Sequence, residues 1–204
     1  SSRRRHTSSY SGTGVQACGL PILGTVGRLR GEKDLPALVR RFREAGIAGA
    51  RLVVVGDGPA RGEIEAAARE AGVEGACLFT GEQKETERYF RAFDLFAMSS
   101  ITEQMPVGLL EAMSSGLAAV CTAAGDTAEI LKGAPERQVF GMGDADGYVA
   151  ALRRMAAEPD ARGRAGEWNR QTAVEGYSSG VMIGRWRHLY RQALDMETMP
   201  AGEH

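Results

Sequence analysis

The sequence predicts an α/β fold, namely a doubly wound parallel sheet with additional carboxyl-terminal helices. Short apolar runs alternate with amphipathic stretches about five times, which is typical of repeated strand–helix units. The run from Leu52 to Val55 is unbroken in its apolar character, as expected for a strand buried on both faces of a parallel sheet. After Val139, three helical stretches follow one another. Right-handed crossovers would place helices on both faces of the sheet.

Each predicted strand is a short run of mostly apolar residues that leads into a loop. The strands span Ile22 to Val26, Arg51 to Val55, Cys77 to Thr80, Leu95 to Met98 and Ala118 to Thr122. Because ligands of such sheets bind at the carboxyl ends of the strands, we expect the loops that follow the strands to line one ligand-binding edge.

The predicted helices follow the strands and carry apolar residues at helical spacing. They span about Lys33 to Ala45, Ala60 to Ala71, Lys84 to Ala92, Leu109 to Ser115 and Thr127 to Leu131. A further helix is predicted from Asp144 to Ala156, and two more reach about Ala193, with Pro159 and Gly176 separating these last helices. The predicted domain therefore covers residues 20–195.

The composition is that of a globular domain and argues against several functional classes. The chain has 204 residues, with 25 Lys and Arg against 26 Asp and Glu, and a formal net charge of -1. This balance argues against a protein whose main role is to hold nucleic acid or an anionic membrane. Residues 1–19 are rich in Ser, Gly and Arg and are predicted to be a disordered tail or linker, and residues 196–204 a second tail.

The cysteines Cys18, Cys77 and Cys121 are odd in number and widely spaced. This spacing disfavours a disulfide framework or a zinc site and fits the reducing cytosol, so we expect a cytoplasmic protein. We expect Cys77 and Cys121 to be small core residues.

Two cations, Arg28 and Lys33, flank the predicted start of the first helix, with Lys33 in its first turn. Free N–H groups and the helix dipole favour an anion at such a position. A lysine there opposes the dipole, which points to an anionic ligand such as a diphosphate. Two solvated surface cations would give the same spacing.

The motif Gly56-Asp57-Gly58-Pro59, followed by Arg61, is a strong turn signal between the second strand and its helix. Such a loop is able to cradle part of a nucleotide. A tight strand-to-helix turn without a ligand explains the motif equally well.

Two carboxylates, Glu103 in the loop after the fourth strand and Glu111 in the following helix, are able to accept hydrogen bonds from sugar hydroxyls. Two glutamates on a solvated helix would show the same spacing. The Asp144-Ala-Asp146 stretch matches a short metal-diphosphate pattern, but it lies at the start of a helix, where an aspartate is expected as a cap.

These signals occur in an order that closely resembles the C-terminal domain of glycosyltransferase family 4, over about residues 20–195. The matching motifs are Gly27-Arg28-Leu29 with Glu32-Lys33, Leu52 to Pro59, Phe79-Thr80-Gly81, Asp94-Leu95-Phe96 with Ser99 and Thr102-Glu103, Leu110 to Met113 with Gly116, Gly125 with Glu129, and Tyr177-Ser178 with Trp186 and Tyr190. The resemblance implies a GT-B architecture, in which two Rossmann-like domains face each other across an active-site cleft, and this chain would be the second, donor-binding domain.

The resemblance implies a retaining transfer of a sugar from a UDP- or GDP-sugar, without a metal or other cofactor. Arg28 and Lys33 would bind the diphosphate, Glu103 the transferred sugar and Glu111 the ribose, and catalysis would depend on Glu103, Arg28 and Lys33. The implied donor-binding residues are Arg28, Lys33, Gly56, Gly58, Glu103, Met105, Pro106, Val107 and Glu111.

The sequence departs from the family pattern after Glu103, where Gln104-Met105-Pro106 replaces the usual Gly-Phe-Gly. Since Pro106 has no N–H group to donate, the donor contacts of this loop are expected to differ.

We also expect that the partner of this domain is an N-terminal acceptor-binding domain that precedes residue 20 in the family, and that transfer is poor or absent without it. Association with the inner face of the membrane through that domain is left open. The alternatives are a non-catalytic module that binds sugar nucleotides, and another GT-B enzyme such as a sugar-nucleotide epimerase.

Overall fold

The computed structural model describes residues 21–197, and the predicted first tail, Cys18 and most of the second tail lie outside them. The structure is a six-stranded parallel sheet with helices on both faces, which confirms the predicted fold class. No helix within these residues is long and apolar enough to cross a membrane.

The strands are β1 (Ile22–Val26), β2 (Arg51–Val55), β3 (Cys77–Phe79), β4 (Leu95–Met98), β5 (Ala118–Thr122) and β6 (Val139–Phe140). The first five agree with the prediction to within one residue. The sixth was missed, because a strand of two residues is too short to show a periodic pattern.

The helices that follow the strands are α1 (Leu35–Ala45), α2 (Arg61–Glu70), α3 (Glu87–Phe90), α4 (Val107–Ser114) and α5 (Thr127–Ile130). The prediction for α3 was too long, since only four residues are helical. The chain then turns Phe93 into the core, where its ring fills the space above Gly24; a Cβ on this glycine would lie 2.1 Å from the ring.

The carboxyl-terminal helices are α6 (Ala145–Ala157), α7 (Pro159–Tyr177) and α8 (Ser179–Glu197). Pro159 opens α7, where its fixed φ suits the first turn. The prediction that Gly176 separates the last helices was wrong by two residues: the break falls at Ser178, whose backbone is extended.

The sheet is buried on both faces, as the apolar run in β2 predicts. Leu52 and Val54 belong to one hydrophobic cluster, and Val53 and Val55 belong to the other. The two clusters therefore lie on opposite faces of the sheet, because successive side chains of a strand alternate between its faces.

The two cysteines of the described part differ in burial. Cys121 is fully buried on β5, as predicted, whereas Cys77 is only half-buried. Burial raises the pKa of the Cys77 thiol to about 11 and that of Cys121 well above its usual range. Both thiols are therefore protonated at neutral pH.

The strand order β3-β2-β1-β4-β5-β6 reverses its direction between β1 and β4. In a doubly wound sheet the loops on either side of such a switch point diverge and leave a crevice at the carboxyl ends of the strands. The loops after β1 and β4 therefore define where a ligand would bind.

Candidate functional site

The loops after β1 and β2 approach so closely that only glycine fits at two positions. The N–H of Leu29 donates to the carbonyl of Asp57 at 3.0 Å. A Cβ on Gly58 would lie 2.3 Å from the carbonyl oxygen of Leu29, and a Cβ on Gly56 would lie 1.9 Å from that of Gly27. Gly56 also has a φ of 130°, which disfavours any other residue. The two glycines of the Gly-Asp-Gly-Pro turn are thus needed for the close contact between the loops, whether or not a ligand binds.

A cleft opens where the strand order reverses, between the loops after β1 and β4 and the start of α4. Of the residues proposed from the sequence, it gathers Arg28, Lys33, Glu103, Pro106 and Val107. Two cations and a carboxylate from distant parts of the chain therefore share one cleft at the predicted edge of the sheet.

Lys33 and Glu103 form an ion pair inside this cleft. The Nζ of Lys33 lies 2.5 Å from Oε1 of Glu103, and the two side chains keep only 28% and 10% of their exposure. The hydroxyl of Ser100 donates to the same carboxylate oxygen at 2.6 Å. Glu103 therefore compensates the charge of Lys33.

Lys33 precedes the first helix, so the prediction that it lies in the first helical turn was wrong. Gly31–Lys33 form a 3-10 turn, Asp34 has a left-handed backbone with φ 42°, and α1 begins at Leu35. Pro36, at the second position of α1, suits a first turn and sets this start. An anionic ligand is therefore indicated by the cations of the cleft. It is not indicated by a lysine that opposes a helix dipole, because Lys33 precedes the helix.

Arg28 lies between this cleft and a neighbouring one, which is also lined by Gly56, Gly58 and Gln83. Arg28 is exposed and forms no ion pair with any residue in the described range. Arg61, in contrast, pairs with carboxylates of its own helix and the preceding loop at 2.8 and 3.2 Å. Arg28 is thus a cation of the cleft whose charge is not already compensated.

Met105 and Glu111 are proposed donor-binding residues that do not line either cleft. Met105 lies in an apolar groove beside Leu110 and Trp186. Glu111 is exposed on α4, one turn after Val107, which lines the first cleft. The surrounding residues partly desolvate this carboxyl, and the desolvation raises the pKa of Glu111.

Ser99, which the sequence analysis names within a matching motif but gives no role, also belongs to the site. It is buried, and its hydroxyl contacts the carbonyl oxygens of Lys33 and Asp34 at 2.8 and 2.9 Å. Ser99 therefore ties the end of β4 to the loop that carries Lys33. Two adjacent serines directly after an apolar strand, at the edge where ligands bind, are the signal that could have indicated it.

The loop of Glu103 is also held from the side of β5. The hydroxyl of Thr122, a buried residue of β5, donates to the carbonyl of Ser100 at 2.6 Å. Gly125 has a φ of 52°, and a Cβ there would lie 2.1 Å from the carbonyl oxygen of Glu103. The backbone of Glu103 is thus packed against the loop that follows β5.

Asp144 caps the start of α6, as its position in the sequence suggested. Its Oδ1 accepts a hydrogen bond from the N–H of Gly147 at 3.0 Å, and its Oδ2 pairs with Arg137 at 2.5 Å. Among residues 21–197 no group of three His, Cys, Asp or Glu side chains is placed to hold a metal ion.

Comparison with known sequences gives one family. The sequence model described as Glycosyl transferases group 1 matches residues 20–158. The chain is 28% identical over 169 residues to LpsE of Rhizobium meliloti, a lipopolysaccharide core biosynthesis glycosyltransferase, a match that covers 83% of this chain and 49% of LpsE. It is 31% identical to the 2-deoxystreptamine N-acetyl-D-glucosaminyltransferase of Streptomyces fradiae, covering 82% of this chain and 44% of that enzyme. The chain thus spans about half the length of these relatives.

Solved structures share the fold. Anabaena HepE, determined in complex with UDP and glucose, superimposes with a TM-score of 0.78 at 16% identity, over 85% of this chain and 48% of HepE. The sucrose-phosphate synthase of Thermosynechococcus elongatus superimposes with a TM-score of 0.78 at 22% identity, over 87% of this chain and 46% of that enzyme. At these identities the likeness establishes the fold alone.

We predict that Gly56→Ala destabilises the protein by about 2 kcal/mol or more, because the new methyl group meets the backbone of Gly27 and forces an unfavourable φ. Gly62→Ala is the matched control: it lies in α2 with open space around it and should stabilise by about 0.5–1 kcal/mol. Urea unfolding followed by circular dichroism measures both. Equal stability of the two variants would contradict the close contact of the loops.

Proposed function

Because this chain belongs to the group 1 glycosyl transferases, we propose that it is the donor-binding domain of a family 4 enzyme. That enzyme transfers a sugar from a nucleotide-diphosphate sugar to an acceptor with retention of configuration. The observation that carries the proposal is the meeting of Arg28, Lys33 and Glu103 in one cleft at the switch point of the sheet.

The diphosphate of the donor is assigned to Arg28 and Lys33. The two cations and Glu103 leave the cleft with one net positive charge, which suits an anionic group. Leu35, at the start of α1, also lines the cleft, and the described part of the chain provides no acceptor for its N–H. This N–H is therefore free to donate to a phosphate oxygen.

The start of α4 departs from the family's usual pattern at this site. Pro106 has no N–H, and the N–H of Val107 already donates to the carbonyl of Met105 at 2.9 Å. Pro106 therefore cannot supply the backbone donor expected at its position in the family's usual Gly-Phe-Gly.

The remaining parts of the donor are assigned by their position relative to the diphosphate. Glu103, beside Lys33, takes the hydroxyls of the transferred sugar, and the neighbouring cleft next to Arg28 takes the base of the nucleotide. Glu111, one turn after the cleft residue Val107, takes the ribose. Ionised carboxylates are good acceptors for the vicinal hydroxyls of both sugars.

The proposed chemistry is electrostatic. When the bond between the sugar and the diphosphate breaks, negative charge grows on the leaving phosphate oxygens. Arg28 and Lys33 stabilise the transition state because they are already placed where this charge develops. The two side chains therefore neutralise the leaving group in place of a metal or other cofactor.

We predict that isothermal titration calorimetry detects binding of UDP or GDP, and that Arg28→Ala weakens it about tenfold or more while leaving the free nucleoside almost unaffected. Lys33→Ala should also weaken diphosphate binding, because the substitution leaves the charge of Glu103 unpaired beside the phosphate. Glu103→Gln should bind the diphosphate at least as tightly as the natural chain, because it releases Lys33 from its partner.

The matched control is Arg69→Ala, which removes an exposed arginine of α2 far from both clefts. It should leave every affinity unchanged. Failure to bind UDP, GDP and ADP would contradict the proposal, and so would an equal loss of nucleoside and diphosphate affinity in Arg28→Ala.

We propose that the partner of this domain is the acceptor-binding domain of the enzyme. The chain spans about half of its relatives, and α8 carries an exposed apolar stripe beside Met105, the residue that precedes Pro106 of the cleft. This stripe comprises Met182, Ile183, Trp186, Leu189 and Tyr190, each 45–64% exposed. Apolar surfaces of this kind usually mark an interface with another protein surface.

A stand-alone module that binds sugar nucleotides is the second candidate function. Such a module would bind the sugar nucleotide with the same three side chains, Arg28, Lys33 and Glu103. The two candidate functions differ in the role of the α8 stripe. Only a donor-binding domain that pairs with an acceptor-binding domain needs this surface to be covered.

We predict that the isolated chain self-associates through the α8 stripe as its concentration rises, and that the Met182→Gln/Trp186→Gln/Leu189→Gln variant stays monomeric with unchanged nucleotide affinity. Val174→Gln, at an exposed residue of α7, is the control and should associate like the natural chain. Sedimentation velocity reads the outcome. A natural chain that binds the nucleotide but is monomeric at every concentration would favour the stand-alone module.

A further inference from the structure

Glu103 is fixed at only one of its two carboxylate oxygens. Lys33 Nζ at 2.5 Å and Ser100 Oγ at 2.6 Å both donate to Oε1. No residue in the described range donates to Oε2. Within that range the one buried side-chain polar atom without a partner is Nη1 of Arg41, so Oε2 keeps contact with solvent. The carboxylate therefore presents one free acceptor in the cleft.

Lys33 and Ser100 are held very differently. Lys33 has a long, flexible side chain whose charge is also attracted by any anion that enters the cleft. Ser100 is 1% exposed, and its backbone carbonyl accepts a hydrogen bond from the buried hydroxyl of Thr122 at 2.6 Å. Ser100 is thus a short, rigid donor whose position does not depend on a ligand.

We infer that Ser100 is the positioning residue that keeps Oε2 of Glu103 directed at a hydroxyl of the transferred sugar once Lys33 has moved to the diphosphate. The inference rests on the proposed function. When the diphosphate takes Lys33, Glu103 loses one of its two hydrogen bonds, and Ser100 supplies the one that remains. Without it, the carboxylate is free to turn toward Arg28, the exposed cation of the same cleft.

This role predicts a separation between the two halves of the donor. The nucleotide does not contact Ser100, so its affinity should not depend on the hydroxyl. The sugar is bound by the carboxylate of Glu103, which the hydroxyl of Ser100 orients. The contribution of the sugar to the affinity should therefore depend on this hydroxyl. A merely structural role would instead affect both halves alike, because Lys33, which is assigned to the diphosphate, is tied to the same loop through Ser99 and Glu103.

The test compares the dissociation constants of UDP with UDP-glucose, and of GDP with GDP-mannose, for the natural chain, Ser100→Ala and Ser100→Thr. For the donor that binds, Ser100→Ala should raise the dissociation constant of the nucleotide sugar about 5- to 20-fold and that of the bare nucleotide less than about twofold. Ser100→Thr keeps a hydroxyl and should restore most of the loss. Ser114→Ala, which removes an exposed hydroxyl of α4, should behave like the natural chain. In a Glu103→Ala background, Ser100→Ala should add no further loss, because the group that it positions is gone.

Thermal unfolding of each variant separates a change of site from a loss of fold. An equal loss for nucleotide and nucleotide sugar in a folded Ser100→Ala chain would overturn the inference, as would an unchanged nucleotide-sugar affinity or an undiminished effect in the Glu103→Ala background. Absence of nucleotide binding by the natural chain would overturn the proposed function itself, and is thereby distinguished from a failure of Ser100 alone.

Discussion

The ion pair between Lys33 and Glu103 joins the loop after β1 to the loop after β4 across the switch point of the sheet. These loops leave adjacent strands in the middle of the sheet and would otherwise diverge. Since the pair is only 28% and 10% exposed, it has lost much of its hydration, and removing either partner would leave a costly uncompensated charge. The shape and the charge of the cleft therefore depend on the same contact.

The packing around this ion pair fixes the backbone near Glu103 and leaves the cationic side chains of the cleft free to move. Ser99, Ser100 and Gly125 hold the backbone on both sides of Glu103 through hydrogen bonds and close contacts. Lys33 and Arg28 reach the cleft on flexible side chains. A rigid acceptor beside two movable cations suits a ligand that carries both hydroxyls and phosphates.

The sequence predicts the sheet well because each strand is a local apolar run, and the boundaries of β1, β2, β4 and β5 follow from that signal alone. The start of α1 was misplaced because apolar spacing does not show that Gly31–Lys33 form a separate turn. The pairing of Lys33 with Glu103 could not be predicted, since it joins residues 70 positions apart and depends on the strand order. The location of Met105 in the α8 groove likewise depends on how the last helix packs.

The central claim is that this cleft binds a pyrophosphate between Arg28 and Lys33, and a crystal structure of the chain with UDP or GDP tests it most directly. The account predicts phosphate oxygens within hydrogen-bond distance of both cations, with Lys33 detached from Glu103 and Ser100 still bound to that carboxylate. A nucleotide bound elsewhere on the chain, or bound here with Lys33 still on Glu103 and no contact to Arg28, would contradict it.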